Sequence, residues 1–306
     1  MTAPGAPPVA IIGAGAFGRA LAKVASHGGP VRLIGRRRAE GVETDAAVGL
    51  EGAAFVILAV SAQATRAVLT DNARHLPEEA PLILAAKGVE RGTGALQSEI
   101  AAETAPRHSR LALTGPSFAE DLMAGLPTAI TLAADDAGVG EAAQARLAGP
   151  TFRPYASDDM IGAELGGALK NVVAIAVGAA AGMGLGDSAR AALMTRGFAE
   201  MTRIAAARGA RPETLAGLSG LGDLSLTCSG PKSRNFAYGF ALGAGETPRE
   251  GVTYEGAATA TGAADMAARL GVEAPIMDAV ASLARGETDA AGAMDALLSR
   301  PLRREA

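Results

Sequence analysis

A glycine-rich turn near the start of the chain restricts its possible folds more than any other stretch. A short apolar run precedes the turn GAGAFG at 13–18, and a helical segment and a second apolar run, 31–35, follow it. This succession is the context that a dinucleotide-binding fingerprint requires. Gly13 permits the tight turn, Gly15 lets the backbone approach a pyrophosphate, and Gly18 lets the helix pack on the strand. The pattern predicts a Rossmann-like unit that binds NAD, NADP or FAD.

The residues after the second strand indicate which dinucleotide binds. An NAD site usually has Asp or Glu there, where the carboxylate binds the ribose hydroxyls. Here Gly35 is followed by Arg36, Arg37 and Arg38, and guanidinium groups suit the 2′-phosphate of NADP. We therefore predict NADP(H) as the preferred cofactor, with NAD(H) as the second choice, and Arg36 as a cofactor contact. The alternative is that the arginines form a solvated loop.

Strands and helical segments alternate through the first half of the chain. This alternation predicts an α/β domain at 1–156 with a mostly parallel, doubly wound sheet. The predicted strands are residues 9–12, 31–35, 54–60, 81–86, 111–114, 128–133 and 152–155.

Two of the predicted strand ends carry groups suited to a ligand. Lys87 follows the strand 81–86, while Gly115 and Ser117 follow the strand 111–114. Because ligands of open α/β sheets bind at the carboxyl ends of strands, a substrate or phosphate role for Lys87 is favoured. The alternatives are an exposed loop lysine and a serine that only caps the next helix.

The segment 161–182 has apolar or small residues on every side of its helical wheel, which predicts a helix buried all round. Lys170 and Asn171 stand side by side within it. Burial lowers the pKa of a lysine towards neutrality, as a general acid or base requires. The alternative is a lysine whose amino group reaches solvent. We expect Ser157 and Asp158 to cap this helix.

Strand patterns stop after this segment, so 157–306 is predicted to be an all-α domain. The stretch 217–235 is rich in Gly and Ser and predicts a loop or several short turns. Loops of this length inside a compact domain are usually functional. The predicted helices are residues 187–207, 214–218, 257–270, 276–284 and 290–298.

This predicted loop carries polar groups suited to a phosphate. Ser233, Arg234 and Asn235 offer a hydroxyl, a forked guanidinium and an amide in succession. Asp223 is expected to be a helix cap or the partner of a lysine. The alternative for the whole stretch is a solvated polar loop.

Composition excludes several other classes of function. The formal net charge is −4, which gives nucleic-acid binding no electrostatic support. With Cys228 as the single cysteine and three histidines far apart, we expect neither a disulfide nor a metal site. The apolar runs favour a core helix over a membrane span. The first eight residues are expected to be a short lead rather than a signal peptide, which predicts a cytoplasmic protein.

Seven motifs follow one another along the chain: GAGAFG at 13–18, AAKGVE at 85–90, LTGPSFAEDLMAGLPTA at 113–129, IGAELGGALKNVVAIAVG at 161–178, RAALMTRGFAEM at 190–201, GLGDLSLTC at 220–228 and SRN at 233–235. In these motifs and their order the chain resembles the bacterial NAD(P)-dependent sn-glycerol-3-phosphate dehydrogenase family. The resemblance covers nearly the whole chain and is far more specific than the glycine-rich turn alone.

The resemblance implies a homodimer that reduces dihydroxyacetone phosphate reversibly to sn-glycerol 3-phosphate for phospholipid synthesis. It implies catalytic roles for Lys170 as proton donor and acceptor, and for Asp223 and Lys87. The implied substrate contacts are Lys87, Gly115, Ser117, Lys170, Asp223, Ser233, Arg234 and Asn235. The implied cofactor contacts, beside Gly13, Gly15 and Gly18, are Ala16, Phe17, Arg36, Lys87, Ala119, Arg234, Thr253 and Glu255.

The expected mechanism follows from these assignments. Lys170 gives a proton to the forming alkoxide as a hydride arrives, and Arg234 grips the substrate phosphate. Asn171 is expected to orient Lys170 or relay protons, on its adjacency alone. The alternatives are a related lysine-dependent β-hydroxyacid or ketopantoate-type reductase and a non-catalytic NADP sensor.

The chain departs from the family pattern in two places. After Arg38 it has only AEGVETDAAVGLEG, at 39–52, where the family usually carries a longer segment. A helix and a lid loop near the adenosine side are therefore expected to be missing or shortened. The second departure is VTYEG at 252–256, which bears on Thr253.

Overall fold

One sheet of eight strands organises the first half of the chain in the computed structural model, which describes residues 6–301. The predicted lead therefore falls mostly outside the described residues. The strands are β1 Val9–Ile12, β2 Val31–Ile34, β3 Val42–Glu43, β4 Phe55–Leu58, β5 Leu82–Leu84, β6 Arg110–Thr114, β7 Thr128–Ala134 and β8 Phe152–Ser157.

The sheet has the order β3-β2-β1-β4-β5-β6-β7-β8, and each neighbouring pair is parallel except β6 with β7. Helices cover both faces of the sheet, because alternate residues of the strands are buried in two separate apolar clusters. In β1, for example, Ile11 belongs to one cluster and Ala10 to the other. The mostly parallel, doubly wound sheet is thus confirmed.

The helices of the sheet region are α1 Ala16–Ala25, α2 Ala46–Leu50, α3 Thr65–Asn72, α4 Gln97–Thr104, α5 Ala119–Ala124 and α6 Ala137–Leu147. The helical region, which is confirmed as all-α in its described part, consists of α7 Met160–Gly182, α8 Gly186–Ala207, α9 Pro212–Ala216, α10 Asp223–Cys228, α11 Arg234–Gly243, α12 Glu255–Arg269, α13 Pro275–Ala284 and α14 Ala290–Leu298.

Helix α7 is the centre of the helical region. It is buried along nearly its whole length and is packed against α8, α10, α11, α12 and α13. By length and composition α7 could cross a membrane, but 89% of its most apolar window is buried inside the protein. The prediction of a helix buried on all sides is therefore confirmed.

Glycines allow α7 and α11 to pack with their backbones almost in contact. A Cβ atom on Gly178 would lie 2.2 Å from the carbonyl oxygen of Phe236, and one on Gly239 would lie 2.0 Å from that of Ile175. Such contacts are impossible for any larger residue. This packing places the start of α11 beside the middle of α7, where Lys170 lies.

The stretch 217–235, predicted as a loop or several short turns, is instead helical over most of its length. The stretch forms a π-helical turn, Leu218–Gly222, then α10, and it reaches the start of α11. Leu224 and Cys228 of α10 are buried in the helical core. Packing against α7 thus overrides the low helix propensity of a Gly- and Ser-rich segment.

The predicted cap of α7 is wrong. Asp159 is the N-cap residue, and its carboxylate accepts a hydrogen bond of 2.8 Å from the backbone N–H of Gly162. The hydroxyl of Ser157 instead accepts from the backbone N–H of Asp159. Asp158 forms an ion pair with Arg211. The cap therefore lies one position after the predicted pair.

Candidate active site

A cleft of about 520 Å³ lies between the carboxyl ends of the strands and the helical region. It contains groups from both halves of the chain. The predicted site residues that line it are Gly15, Ala16, Phe17, Lys87, Ser117, Ala119, Lys170, Ser233, Arg234, Asn235, Thr253 and Glu255. Gly13, Gly18, Arg36, Gly115 and Asp223 are not part of its wall.

The glycine-rich turn lies at one end of the cleft, before α1. Gly13 has φ +118°, and a Cβ atom there would lie 2.3 Å from the carbonyl oxygen of Ala59. A Cβ atom on Gly18 would lie 1.8 Å from the carbonyl oxygen of Gly13, whereas one on Gly15 would meet no protein atom within 4 Å. The turn is therefore packed tightly on its inner side and open towards the cleft. This shape fits a dinucleotide pyrophosphate at the start of α1.

A carboxylate lies between two lysines at the other end of the cleft. Oδ1 of Asp223 is 3.1 Å from Nζ of Lys170, and Oδ2 accepts a hydrogen bond of 2.8 Å from Nζ of Lys87. Asp223 is 2% exposed and Lys170 is 6% exposed. Asp223 thus lies behind the two amino groups, and its predicted role as the partner of a lysine is confirmed twice over.

Burial lowers the pKa of Lys170 to about 8. The negative charge of Asp223 acts against this fall, and the positive charge of Lys87 adds to it. An amino group with such a pKa holds a proton at neutral pH and releases it readily, as a general acid or base must. The alternative of a lysine that reaches solvent is therefore wrong for Lys170.

Lys87 is held by three acceptors. Its amino group donates to the carbonyl oxygen of Gly115 at 2.7 Å, to the carboxylate of Asp223 and, at 3.5 Å, to the hydroxyl of Ser117. Ser117 does not cap a helix, because Phe118 is the N-cap residue of α5. The hydroxyl of Ser117 donates to the carbonyl oxygen of Gly115 at 3.0 Å.

Thr227 is part of this cluster, although it was not among the predicted site residues. Its hydroxyl accepts a hydrogen bond of 2.6 Å from Nζ of Lys170 and donates to Oδ1 of Asp223 at 3.3 Å. Thr227 is four residues after Asp223, so the two side chains share one face of α10. The spacing would have indicated this pair if the segment had been predicted as a helix.

Asn171 does not orient Lys170, which corrects the expectation drawn from adjacency. Its Nδ2 donates to the backbone carbonyl of Lys87 at 3.0 Å, and its Oδ1 accepts from Nδ2 of Asn235 at 2.8 Å. Oδ1 of Asn235 in turn accepts from the backbone N–H of Gly256 at 2.9 Å. This chain of amides connects the end of β5 to α7, α11 and α12.

The start of α11 forms the wall of the cleft beside Lys170. Ser233 is the N-cap residue, and its hydroxyl accepts from the backbone N–H of Phe236 at 3.2 Å. Arg234, the first residue of the helix, is exposed to the cleft, while Asn235 is buried. A helix N-terminus with an arginine beside it suits an anion such as a phosphate.

Glu255 and Arg36 are two of the predicted cofactor contacts. Oε1 of Glu255 accepts from the backbone N–H of Ala62 at 3.3 Å, while burial raises the pKa of the carboxyl against the effects of that bond and of Arg234. Arg36 is exposed and follows Gly35, which packs against Ala14 of the glycine-rich turn. The side chain of Arg36 therefore starts close to that turn.

The described residues contain no group of three His, Cys, Asp or Glu side chains able to hold a metal ion. After Arg38, residues 39–52 form the two-residue strand β3 and the five-residue helix α2. Neither of these two elements was predicted from the sequence.

Comparison with known proteins identifies relatives over both halves of the chain. The family model described as NAD-dependent glycerol-3-phosphate dehydrogenase N-terminus matches residues 39–139, and the corresponding C-terminus model matches residues 159–295. A glycerol-3-phosphate dehydrogenase [NAD(P)+] of Brucella ovis is 47% identical, over 97% of this chain and 98% of its own. A glycerol-3-phosphate dehydrogenase [NAD(P)+] of a Chelativorans species is 49% identical, over 97% of this chain and 98% of its own.

A solved structure has the same fold throughout. The crystal structure of glycerol-3-phosphate dehydrogenase from Coxiella burnetii matches with a TM-score of 0.90 and 34% identity. The match covers 96% of this chain and 99% of that one. The match thus spans both the sheet region and the helical region of this chain.

Proposed function

The chain belongs to the NAD-dependent glycerol-3-phosphate dehydrogenase family, and from that premise we propose how its residues carry out the reaction. The protein is an NAD(P)-dependent oxidoreductase that reduces dihydroxyacetone phosphate reversibly to sn-glycerol 3-phosphate. The nicotinamide, when bound, supplies or accepts the hydride at C2 of the substrate. The observation that carries the proposal is the buried Lys170, with a pKa of about 8, in the wall of the cleft.

Lys170 is the proton donor in the reductive direction. Its ammonium group gives a proton to the substrate oxygen as negative charge develops there, and the neutral amine takes the proton back in the oxidative direction. Asp223 and Thr227 hold the amino group at a fixed position through the contacts of 3.1 and 2.6 Å. Lys87, held by Gly115, adds a second positive charge beside the reacting oxygen.

The substrate phosphate is bound at the start of α11. Ser233, Arg234 and Asn235 supply a hydroxyl, a guanidinium and an amide to this end of the cleft. The cofactor contacts are the glycine-rich turn with Ala16 and Phe17, together with Ala119, Thr253 and Glu255. A phosphate site next to Lys170 favours a phosphorylated substrate over the carboxylate substrates of the alternative reductases.

The test of this function is the loss of NADPH absorbance on addition of dihydroxyacetone phosphate. We expect rapid turnover by the wild type and a fall in kcat of about 10³-fold in Lys170→Ala, because proton transfer contributes on that order. NADPH binding, followed by fluorescence, should be retained. Lys23→Ala is the matched control, because Lys23 is exposed and does not line the cleft. Wild-type turnover in Lys170→Ala would contradict the assignment.

NADP(H) is the proposed preferred cofactor. Arg36 supports this preference, because it is exposed beside the glycine-rich turn, where the 2′-phosphate of NADP would bind. We expect Arg36→Ser to raise the KM for NADPH about tenfold, as the loss of one charge-assisted contact does. The KM for NADH should stay unchanged, and Arg38→Ser is the control. An equal effect on both cofactors would contradict the role of Arg36.

The family resemblance supports four further proposals. The protein is a homodimer in the cytoplasm, it supplies glycerol 3-phosphate for phospholipid synthesis, and it has a domain boundary between residues 156 and 157. Light scattering of the purified protein tests the dimer. Limited proteolysis tests the boundary, which falls one residue before the end of β8.

A further inference from the structure

Four cationic side chains line the cleft, and three of them interact electrostatically with carboxyl groups. Lys87 and Lys170 both contact the carboxylate of Asp223. Arg234 lies close enough to Glu255 to oppose the rise in the pKa of that carboxyl. The fourth cation, Lys232, is exposed and has no hydrogen bond or ion pair within residues 6–301.

The charge of the deeper lysines is partly compensated before any substrate binds. One carboxylate faces two ammonium groups, so this cluster has one uncompensated positive charge beside the reacting oxygen. A phosphate monoester carries a charge of about −1.5 to −2 at pH 7. The remaining charge that balances this phosphate must therefore come from the start of α11, where Lys232 and Arg234 flank Ser233.

The backbone holds Lys232 beside the start of α11. A hydrogen bond of 3.1 Å from the backbone N–H of Ser233 to the carbonyl oxygen of Gly230 closes a turn over these four residues. Pro231 fixes φ at the second position of the turn, and Lys232 occupies the third. The turn runs directly into the N-cap of α11, so the main chain of Lys232 is ordered before a ligand arrives.

We propose that Lys232 is a second cationic contact to the phosphate of the substrate and, with Arg234, makes the cleft selective for a phosphorylated ketone. This inference rests on the proposed function. In the substrate complex, Lys232 and Arg234 approach the phosphate oxygens from the two sides of Ser233. The backbone N–H groups in the first turn of α11 contribute the partial positive charge of a helix N-terminus.

Steady-state kinetics of Lys232→Met test the proposal. We expect the KM for dihydroxyacetone phosphate to rise about tenfold, as for one lost charged contact in a partly exposed site. The values of kcat and of the KM for NADPH should change less than twofold. Lys232→Arg should behave like the wild type, because it retains the charge. Arg107→Met, which removes a positive charge from an exposed residue outside the cleft, is the control.

A substrate without a phosphate separates this contact from a general disturbance of the site. Dihydroxyacetone should have the same low kcat/KM in the wild type and in Lys232→Met. An equal loss with dihydroxyacetone would overturn the proposal, because the substitution would then have damaged the catalytic group. A rise in the KM for NADPH alone would also overturn it, since Lys232 would then bind a phosphate of the cofactor.

Inorganic phosphate tests the same contact without turnover. With the protein saturated with NADP⁺, we expect phosphate to raise the Tm of the wild type, and Lys232→Met to need about tenfold more phosphate for the same rise. If the wild type does not reduce dihydroxyacetone phosphate but shows this difference, the proposed function fails and the phosphate contact stands. The same response to phosphate in both proteins would overturn the contact.

Discussion

Nζ of Lys170 lies 3.1 Å from Oδ1 of Asp223, and both side chains are buried. The same carboxylate contacts Nζ of Lys87 at 2.8 Å, so two ammonium groups share one carboxylate. Burial and the second lysine lower the pKa of Lys170, and Asp223 limits this fall. The proton affinity of Lys170 is therefore set first by its burial in α7, and then by the charges of Lys87 after β5 and of Asp223 in α10.

The pH dependence of turnover should report Lys170. Its pKa of about 8 lies below the ordinary value of 10.5. Reduction needs the ammonium form, so kcat/KM for dihydroxyacetone phosphate should fall as the pH rises through about 8. Oxidation needs the neutral amine, so kcat/KM for glycerol 3-phosphate should rise through the same range. Initial rates of reduction and of oxidation from pH 6 to pH 10 measure these two trends. If kcat/KM changed in the same direction with pH in both reactions, the assignment to Lys170 would be contradicted.

Asp223→Asn should shift the fall in kcat/KM for dihydroxyacetone phosphate to lower pH. Without the carboxylate, the largest influence that opposes the effects of burial and of Lys87 on Lys170 is lost, so its pKa should fall below about 8. We also expect a loss of kcat of at least about 10²-fold, since the amino group is then held less firmly and is partly deprotonated at pH 7. The measurement is the pH profile of reduction by the variant.

A surface aspartate provides the control for this profile. Asp187 is almost fully exposed and pairs with Arg190 on α8, so Asp187→Asn removes the same charge without reaching the cleft. Its profile should coincide with that of the wild type. If kcat/KM for reduction falls at the same pH in Asp223→Asn as in the wild type, the charge of Asp223 does not set the pKa of Lys170.

Two buried glutamates outside the cleft should make the stability depend on pH. Burial raises the pKa of Glu164 and that of Glu200 to about 7 from 4.5. Glu164 accepts from Ser98, and Glu200 accepts from the backbone N–H groups of Ile276 and Met277 at the start of α13. Both carboxyls therefore bind protons more tightly in the folded chain than in the unfolded one.

The sign of the effect follows from these raised pKa values. The stabilisation that Glu164 and Glu200 contribute by binding protons is fully present below pH 4.5 and is lost as the pH rises through about 7. The free energy of unfolding should fall between pH 5 and pH 8, by up to about 3 kcal/mol for each carboxyl. Urea unfolding of the wild type and of Glu164→Gln/Glu200→Gln measures this, with Glu78→Gln as an exposed control. An equally steep fall in the double variant would contradict the assignment.

Most of the sheet and α7 could be predicted from the sequence, because the apolar run of a strand and the apolar wheel of α7 each lie within one continuous segment. The sequence did not predict α10, because packing against α7 stabilises a segment with the composition of a loop. Thr227 was missed for the same reason. Asn171 was given the wrong partner because neighbours on a helix point about 100° apart, so adjacency to Lys170 does not place the two side chains together. Whether Lys170 is buried or solvated was open until its surroundings were known.

Substitution of Gly178 should disturb the phosphate end of the cleft from a distance. A Cβ atom at this position would lie 2.2 Å from the carbonyl oxygen of Phe236, a backbone atom that cannot rotate away. In Gly178→Ala, α11 must therefore move from α7, at a cost of about 1–3 kcal/mol for an overpacked core. Because Ser233 and Arg234 lie at the start of α11, the KM for dihydroxyacetone phosphate should rise together with the fall in Tm.

Gly138→Ala in α6 is the matched control for this substitution. Its nearest neighbour would be Oδ1 of Asp136 at 3.3 Å, the end of a side chain, and alanine has the higher helix propensity. The Tm of this variant should be unchanged or higher, and its KM for dihydroxyacetone phosphate should equal that of the wild type. A Gly178→Ala protein with a lowered Tm but an unchanged KM would show that the position of α11 does not determine how the substrate phosphate is bound.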